Sequence, residues 1–163
     1  MITIAELLVK IQCTTRPKSK GFASSKMTDS LTTEHRSQNM SRIGSKHTKP
    51  EMLVRKMVHA MGYRYRLHGK DLPGKPDLVF RGRKKVIFVH GCFWHLHSSC
   101  REGRIPSSRR EYWTPKLNRN QSRDADHLSA LNTAGWQVLV VWECETKNIN
   151  LLKDRIRGFL EAQ

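Results

Sequence analysis

Two apolar runs constrain this chain more than any other feature. They are VIFV at 86–89 and WQVLVVWEC at 136–144, the second the longest apolar strand of the sequence. Each is rich in β-branched residues and has the length of a buried strand. Cys92 follows the first run closely, and Cys144 ends the second. If the two strands are neighbours, they deliver both thiols to one edge of a sheet. Any fold for this chain has to accommodate that meeting.

The other elements are read around these strands. Thr48 followed by Glu51 is a capping-box pattern, with Pro50 in the first turn. Leu53, Val54, Met57, Val58 and Met61 then form one apolar helical face, which Gly62 ends. YRYRL at 63–67 alternates Tyr63, Tyr65 and Leu67 with arginines, the pattern of a half-buried strand. DLPGKPD is a turn region, and LVF is a short strand directly after Asp77. REGRIPSSRREYWTP reads as a basic loop that contains Trp113. A helix is predicted from Pro115 through Leu117, Ala125, Leu128 and Leu131, closed by Gly135. NINLLKDRIRGFLEAQ reads as a last amphipathic helix. This order gives an α/β fold, a central mixed sheet flanked by helices. Residues 1–33, rich in Ser, Thr and Lys, are expected to be a disordered extension, and 34–163 the folded domain. That domain is expected to open on a short helix carrying Met40 and Ile43.

Charge points to the partner. The 163 residues include 30 Lys and Arg against 14 Asp and Glu, a net charge of +16. Only +3 of this lies before Glu34, so the folded part is itself strongly basic. A surface of this kind attracts a polyanion, with nucleic acid the first choice. No run is apolar for long enough to span a membrane. MITIAELLVK lacks a basic start and carries Glu6 inside its apolar run, a poor signal peptide, so the expected location is the cytoplasm.

Between the two strands lies HGCFWHLHSSC, residues 90–100. Its two cysteines among histidines favour thiolate metal ligands over a disulfide scaffold. Cys92, Cys100 and Cys144 with one histidine would make a closed tetrahedral zinc site. By spacing, either His95 or His97 can be the fourth ligand. Asp77, at a strand start, is placed where a phosphodiesterase holds Mg2+, and His90 and His95 follow on the next strand and its loop. Either imidazole could take a proton from water, and Glu51 could reach the same site. Phe93, Trp94 and Trp113 are large aromatics in basic surroundings, suited to stacking on bases or wedging into a base step.

RSQNMSRI, LPGKPDLVF, VIFVHGCFWHLH and GWQVLVVWEC occur in this order, and over roughly residues 34–160 the chain resembles the very short patch repair (Vsr) DNA mismatch endonucleases. The resemblance implies a restriction-endonuclease-like fold with a structural zinc site. It implies nicking of one DNA strand 5′ to the T of a T:G mismatch left by deamination of 5-methylcytosine, with Mg2+ as the catalytic ion. By the same resemblance Asp77 is the metal carboxylate, Val89 adds its backbone carbonyl, His90 and His95 assist hydrolysis, and Glu51 supports the site. Cys92, His97, Cys100 and Cys144 become the Zn2+ ligands. Phe93, Trp94 and Trp113 become the wedge, Met40 and Ile43 reach DNA from the other groove, and Lys116 and Asn120 lie near the mismatched pair. Expected with this are double-stranded DNA as partner, contact with other mismatch-repair proteins, a monomer, and a bacterial, nucleoid-associated location. Val89 stands where the family's better-known member has Thr, and His97 and Cys100 have one more residue between them than in that member. Two other readings compete: a zinc-stabilised DNA-binding repair adaptor without nuclease activity, and a nuclease of the same fold with another DNA target.

Overall fold

The computed structural model describes residues 47–162, all within one unit spanning Gly44–Gln163. The expected extension and the helix with Met40 and Ile43 lie outside the described residues. In chain order the elements are α1 (Lys49–Ala60), β1 (Arg66–Leu67), β2 (Leu78–Phe80), β3 (Lys85–His90), α2 (Arg110–Thr133), β4 (Gln137–Trp142) and α3 (Ile149–Glu161). The strands form one sheet in the order β1-β2-β3-β4. β1 and β3 both run antiparallel to β2, whereas β4 is parallel to β3, with His90 opposite Trp142. The sheet is therefore mixed, as the sequence predicts.

The sheet is covered on both faces, and strand alternation decides what faces where. Leu78, Phe80, Ile87, Leu139 and Val141 pack with Val54 and Val58 of α1 and with Leu152, Ile156 and Leu160 of α3. The intervening Val79, Val86 and Phe88 pack on the other side with Leu131 of α2. Lys85 is buried at the start of β3, and its ammonium donates to the carbonyls of Phe159, Leu160 and Ala162 at the end of α3. A cation there satisfies carbonyls that a helix end leaves unpaired. Among the described residues no helix is long and apolar enough to cross a membrane.

α1 follows its sequence signal closely. Thr48 caps it, the Glu51 N–H donating to Thr48 Oγ1 and the Thr48 N–H to Glu51 Oε2, and Gly62 follows at φ 88°. Three expectations are corrected. The strand at 63–67 shrinks to Arg66–Leu67, with both residues exposed, while Tyr63 and Tyr65 pack at the rim of the core. Helix α2 starts at Arg110, so Trp113 is helical and Pro115 lies inside the helix. An internal proline removes a hydrogen bond and costs about 3 kcal/mol. The aromatic contacts of Trp113 described below are what this earlier start gains. Finally, β4 ends at Trp142, and Cys144 lies in the 3-10 turn Glu143–Lys147.

Candidate active site and metal centre

Strand direction gathers the chemistry at one edge. The start of β2 meets the end of β3 because the pair is antiparallel, and the end of β4 lies beside it because that pair is parallel. Asp77, His90, Cys92 and Cys144 all sit at, just before or just after strand ends on that edge.

Four residues converge beyond β3 and β4. The donor atoms of Cys92, His97, Cys100 and Cys144 all lie within 4.8 Å of one another. His97 Nδ1 is 3.7 Å from Cys92 Sγ and 3.4 Å from Cys144 Sγ. Burial raises the Cys92 and Cys144 thiols above their ordinary range, so without a cation the neutral thiols are favoured. Three thiols and one imidazole in a tight cluster are a donor set that fits zinc. Cys100 joins the cluster despite the two residues between it and His97. The loop turns back closely: a Cβ on Gly103 would lie 2.2 Å from the His97 carbonyl oxygen, so only glycine fits. The Trp142 N–H donates 2.7 Å to Glu145, which also accepts from Arg155, and this fixes the turn that carries Cys144.

His95 goes elsewhere. Leu96 adopts φ 49°, a left-handed conformation uncommon for a residue with a Cβ, and the two flanking histidines serve different clusters. His95 Nδ1 is in short contact with Asp124 Oδ2 on α2, and its ring stacks on His90, centroids 3.8 Å apart at 10°. Spacing makes His95 and His97 interchangeable as ligands, and the backbone separates them. Burial, aided by His95, pushes the pKa of His90 down to about 4, so near neutral pH its ring is uncharged. Trp142 lies between the clusters, stacked on His97 at 4.2 Å and edge-on to His90 at 5.5 Å.

Asp77 is half-buried, and its Oδ2 accepts the Val89 N–H at 2.7 Å. Burial pushes its pKa up to about 6, against the pull of that hydrogen bond. Glu51, His68 and Asp77 also bring donor atoms within 4.8 Å. A carboxylate whose anion is poorly solvated, with further oxygen and nitrogen donors beside it, fits a hard divalent ion.

The aromatics form a cluster of their own. Phe93 lies 5.1 Å from Trp94 and 5.2 Å from Trp113, and Tyr112 lies 5.0 Å from Trp113. The Lys116 ammonium sits over the rings of Trp94, Tyr112 and Trp113 at 5.3–5.6 Å. Asn120 donates to the Trp94 carbonyl at 3.2 Å. Sequence reasoning missed Tyr112, Asp124, His68 and Arg55. Only Asp124 had a signal: Lys116, Asn120 and Asp124 recur every fourth residue along one face of α2.

Carboxylates and imidazoles at one edge of a basic α/β domain, beside a thiol cluster and half-buried aromatics, are groups suited to metal-assisted hydrolysis of a phosphodiester. Residues 28–102 match the family model described as DNA mismatch endonuclease Vsr. The chain is 50% identical over 135 residues to Type II nicking enzyme V.XorIIP of Xanthomonas oryzae pv. oryzae, covering 83% of this chain and 98% of that one. It is 47% identical to Type II nicking enzyme V.NmeAIP of Neisseria meningitidis serogroup A, over 80% of this chain and 92% of the relative. It is 39% identical to DNA mismatch endonuclease Vsr of Escherichia coli K12, over 73% and 76%. The chain belongs to the Vsr family and is a DNA endonuclease, a hydrolase of phosphodiester bonds. Membership sets aside the reading as a binding-only adaptor.

Proposed function

We propose that this endonuclease nicks one strand of duplex DNA 5′ to the T of a T:G mismatch, by Mg2+-dependent hydrolysis on a restriction-endonuclease-like fold. The observation that carries this reading is the joining of Asp77 and the stacked His90–His95 pair at one sheet edge, with an aromatic cluster alongside. The relative from Escherichia coli, named a DNA mismatch endonuclease, supports the choice of target.

Basic residues draw the protein to DNA in a salt-dependent way. Phe93, Trp94 and Trp113 enter the base step beside the mismatch, where unstacking costs least. Lys116 stands over these rings, and Asn120 braces the Trp94 backbone, next to the opened pair. Asp77, with the Val89 carbonyl, would hold Mg2+, and the ion would supply positive charge to stabilise the developing charge of phosphodiester hydrolysis. His95, oriented by Asp124, accepts the proton of the attacking water, and neutral His90 supports it from the stacked face. Cys92, His97, Cys100 and Cys144 would hold a structural Zn2+, which would keep the loop bearing His95 in register.

The test is nicking of a duplex with one T:G pair against its T:A counterpart, with and without Mg2+. We expect a Mg2+-dependent nick confined to the mismatched strand. Trp94→Ala should lower that rate about tenfold to a hundredfold and overall DNA affinity far less, since stacking on one base contributes about 1–3 kcal/mol. Equal nicking of both duplexes would transfer the proposal to a same-fold nuclease with another DNA target.

Asp124→Asn keeps the shape but removes the charge that fixes the His95 ring. Its expected effect is a fall in kcat of about a hundredfold, in the range of general-base catalysis, with DNA affinity unchanged. A variant as fast as the parent would remove Asp124 from the mechanism.

A further inference from the structure

We propose that the turn joining β2 to β3 is a second DNA-contact surface, which holds another duplex segment while the active edge engages its target. This rests on the placing of the target at the Asp77 edge and adds a contact at the opposite end of the sheet.

The turn reads RGRKK at 81–85, four cations in five residues, and the reaction proposed above uses none of them. Because β2 and β3 are antiparallel, it lies at the end of the sheet opposite Asp77 and His90. Lys85 is buried against the end of α3, but Arg81, Arg83 and Lys84 are exposed. Exposed Arg64 joins Arg81, Gly82, Arg83 and Tyr63 around a concavity of about 230 Å3. The fold holds two of these guanidiniums in place. Arg81 Nη2 donates to both oxygens of Asp71, at 2.6 and 2.7 Å, and Arg83 Nη1 donates to the Leu160 carbonyl at 3.1 Å. Each guanidinium has five N–H donors, so both keep donors for a phosphate. A Cβ at Gly62 or Gly82 would meet nothing within 4 Å, so the backbone is open on this side. Asp71 and Glu161 offset part of the charge, and the four exposed cations outnumber them.

The make-up of the patch selects its partner. The large hydrophobics exposed among the described residues are Leu67, Tyr112, Ile149 and Leu151. None sits at this turn: Leu67 pairs with Leu78 at the start of β2, Tyr112 opens α2, and Ile149 and Leu151 open α3. Protein interfaces are anchored by buried apolar and aromatic side chains, whereas a duplex backbone is held by cations. Arginines around a concavity with no apolar anchor fit a row of phosphates. The six residues of β3 put the turn roughly 17 Å from the active edge. DNA is stiff on this scale, with a persistence length of about 50 nm, so a duplex across one end does not double back to the other. The turn therefore meets a second segment, and the protein can pass from one segment to the next without leaving DNA.

The experiment fixes a short T:G duplex to beads, loads it with the zinc-bound full chain in Mg2+-free buffer, and offers a labelled, fully matched duplex. Capture of the labelled duplex is expected. Arg64→Glu combined with Lys84→Glu should weaken that capture at least about tenfold at roughly 0.1 M salt, and Arg64→Gln with Lys84→Gln should weaken it less. Both variants should bind and nick a short T:G duplex as wild type does. No capture by wild type, or equal capture by the charge-reversed variant, overturns the inference and leaves the Asp77 site intact. Capture and short-duplex nicking lost together would put the turn on the target's own path, overturning both the second segment and the placing of the target at the Asp77 edge. Polyglutamate held in preference to the labelled duplex would overturn DNA in favour of an acidic protein. Sedimentation showing two protein copies for each pair of duplexes would assign the bridging to pairing of the protein, and overturn the proposal.

Discussion

Asp77→Asn is expected to reduce Mg2+-dependent nicking by roughly a thousandfold or more, and at the same time to make the Mg2+-free protein more stable. The first effect follows from removing the proposed metal carboxylate, a loss of several kcal/mol in the transition state. The second follows from the pKa of Asp77, which burial raises from 3.8 to about 6. A group whose pKa is higher folded than unfolded adds stability while it is protonated. That contribution is complete below the unfolded value and is lost as pH rises through the folded one. At pH 8 the ionised Asp77 therefore strains the Mg2+-free fold by up to roughly 3 kcal/mol, since each tenfold difference in proton affinity between folded and unfolded chain is worth about 1.4 kcal/mol. Asn keeps an oxygen for the Val89 N–H and carries no charge. The gain should be largest near pH 8, shrink as pH falls through 6, and vanish below about pH 4. Denaturant unfolding in chelator-free, Mg2+-free buffer at several pH values measures it, beside the nicking assay. A variant less stable than wild type at pH 8 would mean that Asp77 is a structural acceptor first. The same pKa predicts that wild-type nicking at low Mg2+ declines as pH falls through about 6, because protons compete with the ion.

What the sequence discloses, it discloses through short-range rules. Thr48, Pro50 and Glu51 announce α1 because a capping box is local chemistry. The meeting of Cys92 and Cys144 is legible because apolar strands carry both to one edge, and the parallel register of β3 and β4 does the rest. The contacts that escape are those no local rule reaches. Asp124 meets His95 only because α2 crosses the sheet face beside it, and Arg55 meets His68 only because β1 folds back toward α1. The start of α2 departs from expectation for a related reason. Pro115 is a strong local signal for a first turn, but Trp113 gains Phe93, Trp94 and Tyr112 as neighbours by being helical. Packing outweighs the proline. Leu96 is the subtlest case, since nothing in HLH reveals that the middle residue takes the left-handed conformation, and with it which histidine serves which cluster.

The thiol cluster leads to the other large effect. Without zinc, the loop from Gly91 to Arg109 has only short 3-10 and turn segments to hold it, while both core clusters draw mainly on the sheet and the three helices. Zinc removal should therefore loosen the loop before it unfolds the sheet. Structural zinc sites can contribute on the order of ten kcal/mol. Even half of that, lost in Cys144→Ser, lowers Tm by about 10 °C or more in a domain of this size. Because His97 stacks on Trp142 and Trp142 abuts His90, a loosened loop also releases the His90–His95 pair, so nicking should be lost at temperatures where the core is still folded. Limited proteolysis should then cut within residues 98–104, where Arg101 and Arg104 are exposed. Proton release supplies an independent readout. Burial holds the Cys92 and Cys144 thiols protonated at neutral pH, so zinc uptake by the apo protein must expel a proton from each. A pH-indicator titration should count at least those two per zinc. Zinc uptake without proton release, or a zinc-free protein with unchanged Tm and nicking, would remove the metal from this cluster and leave the loop held by packing alone.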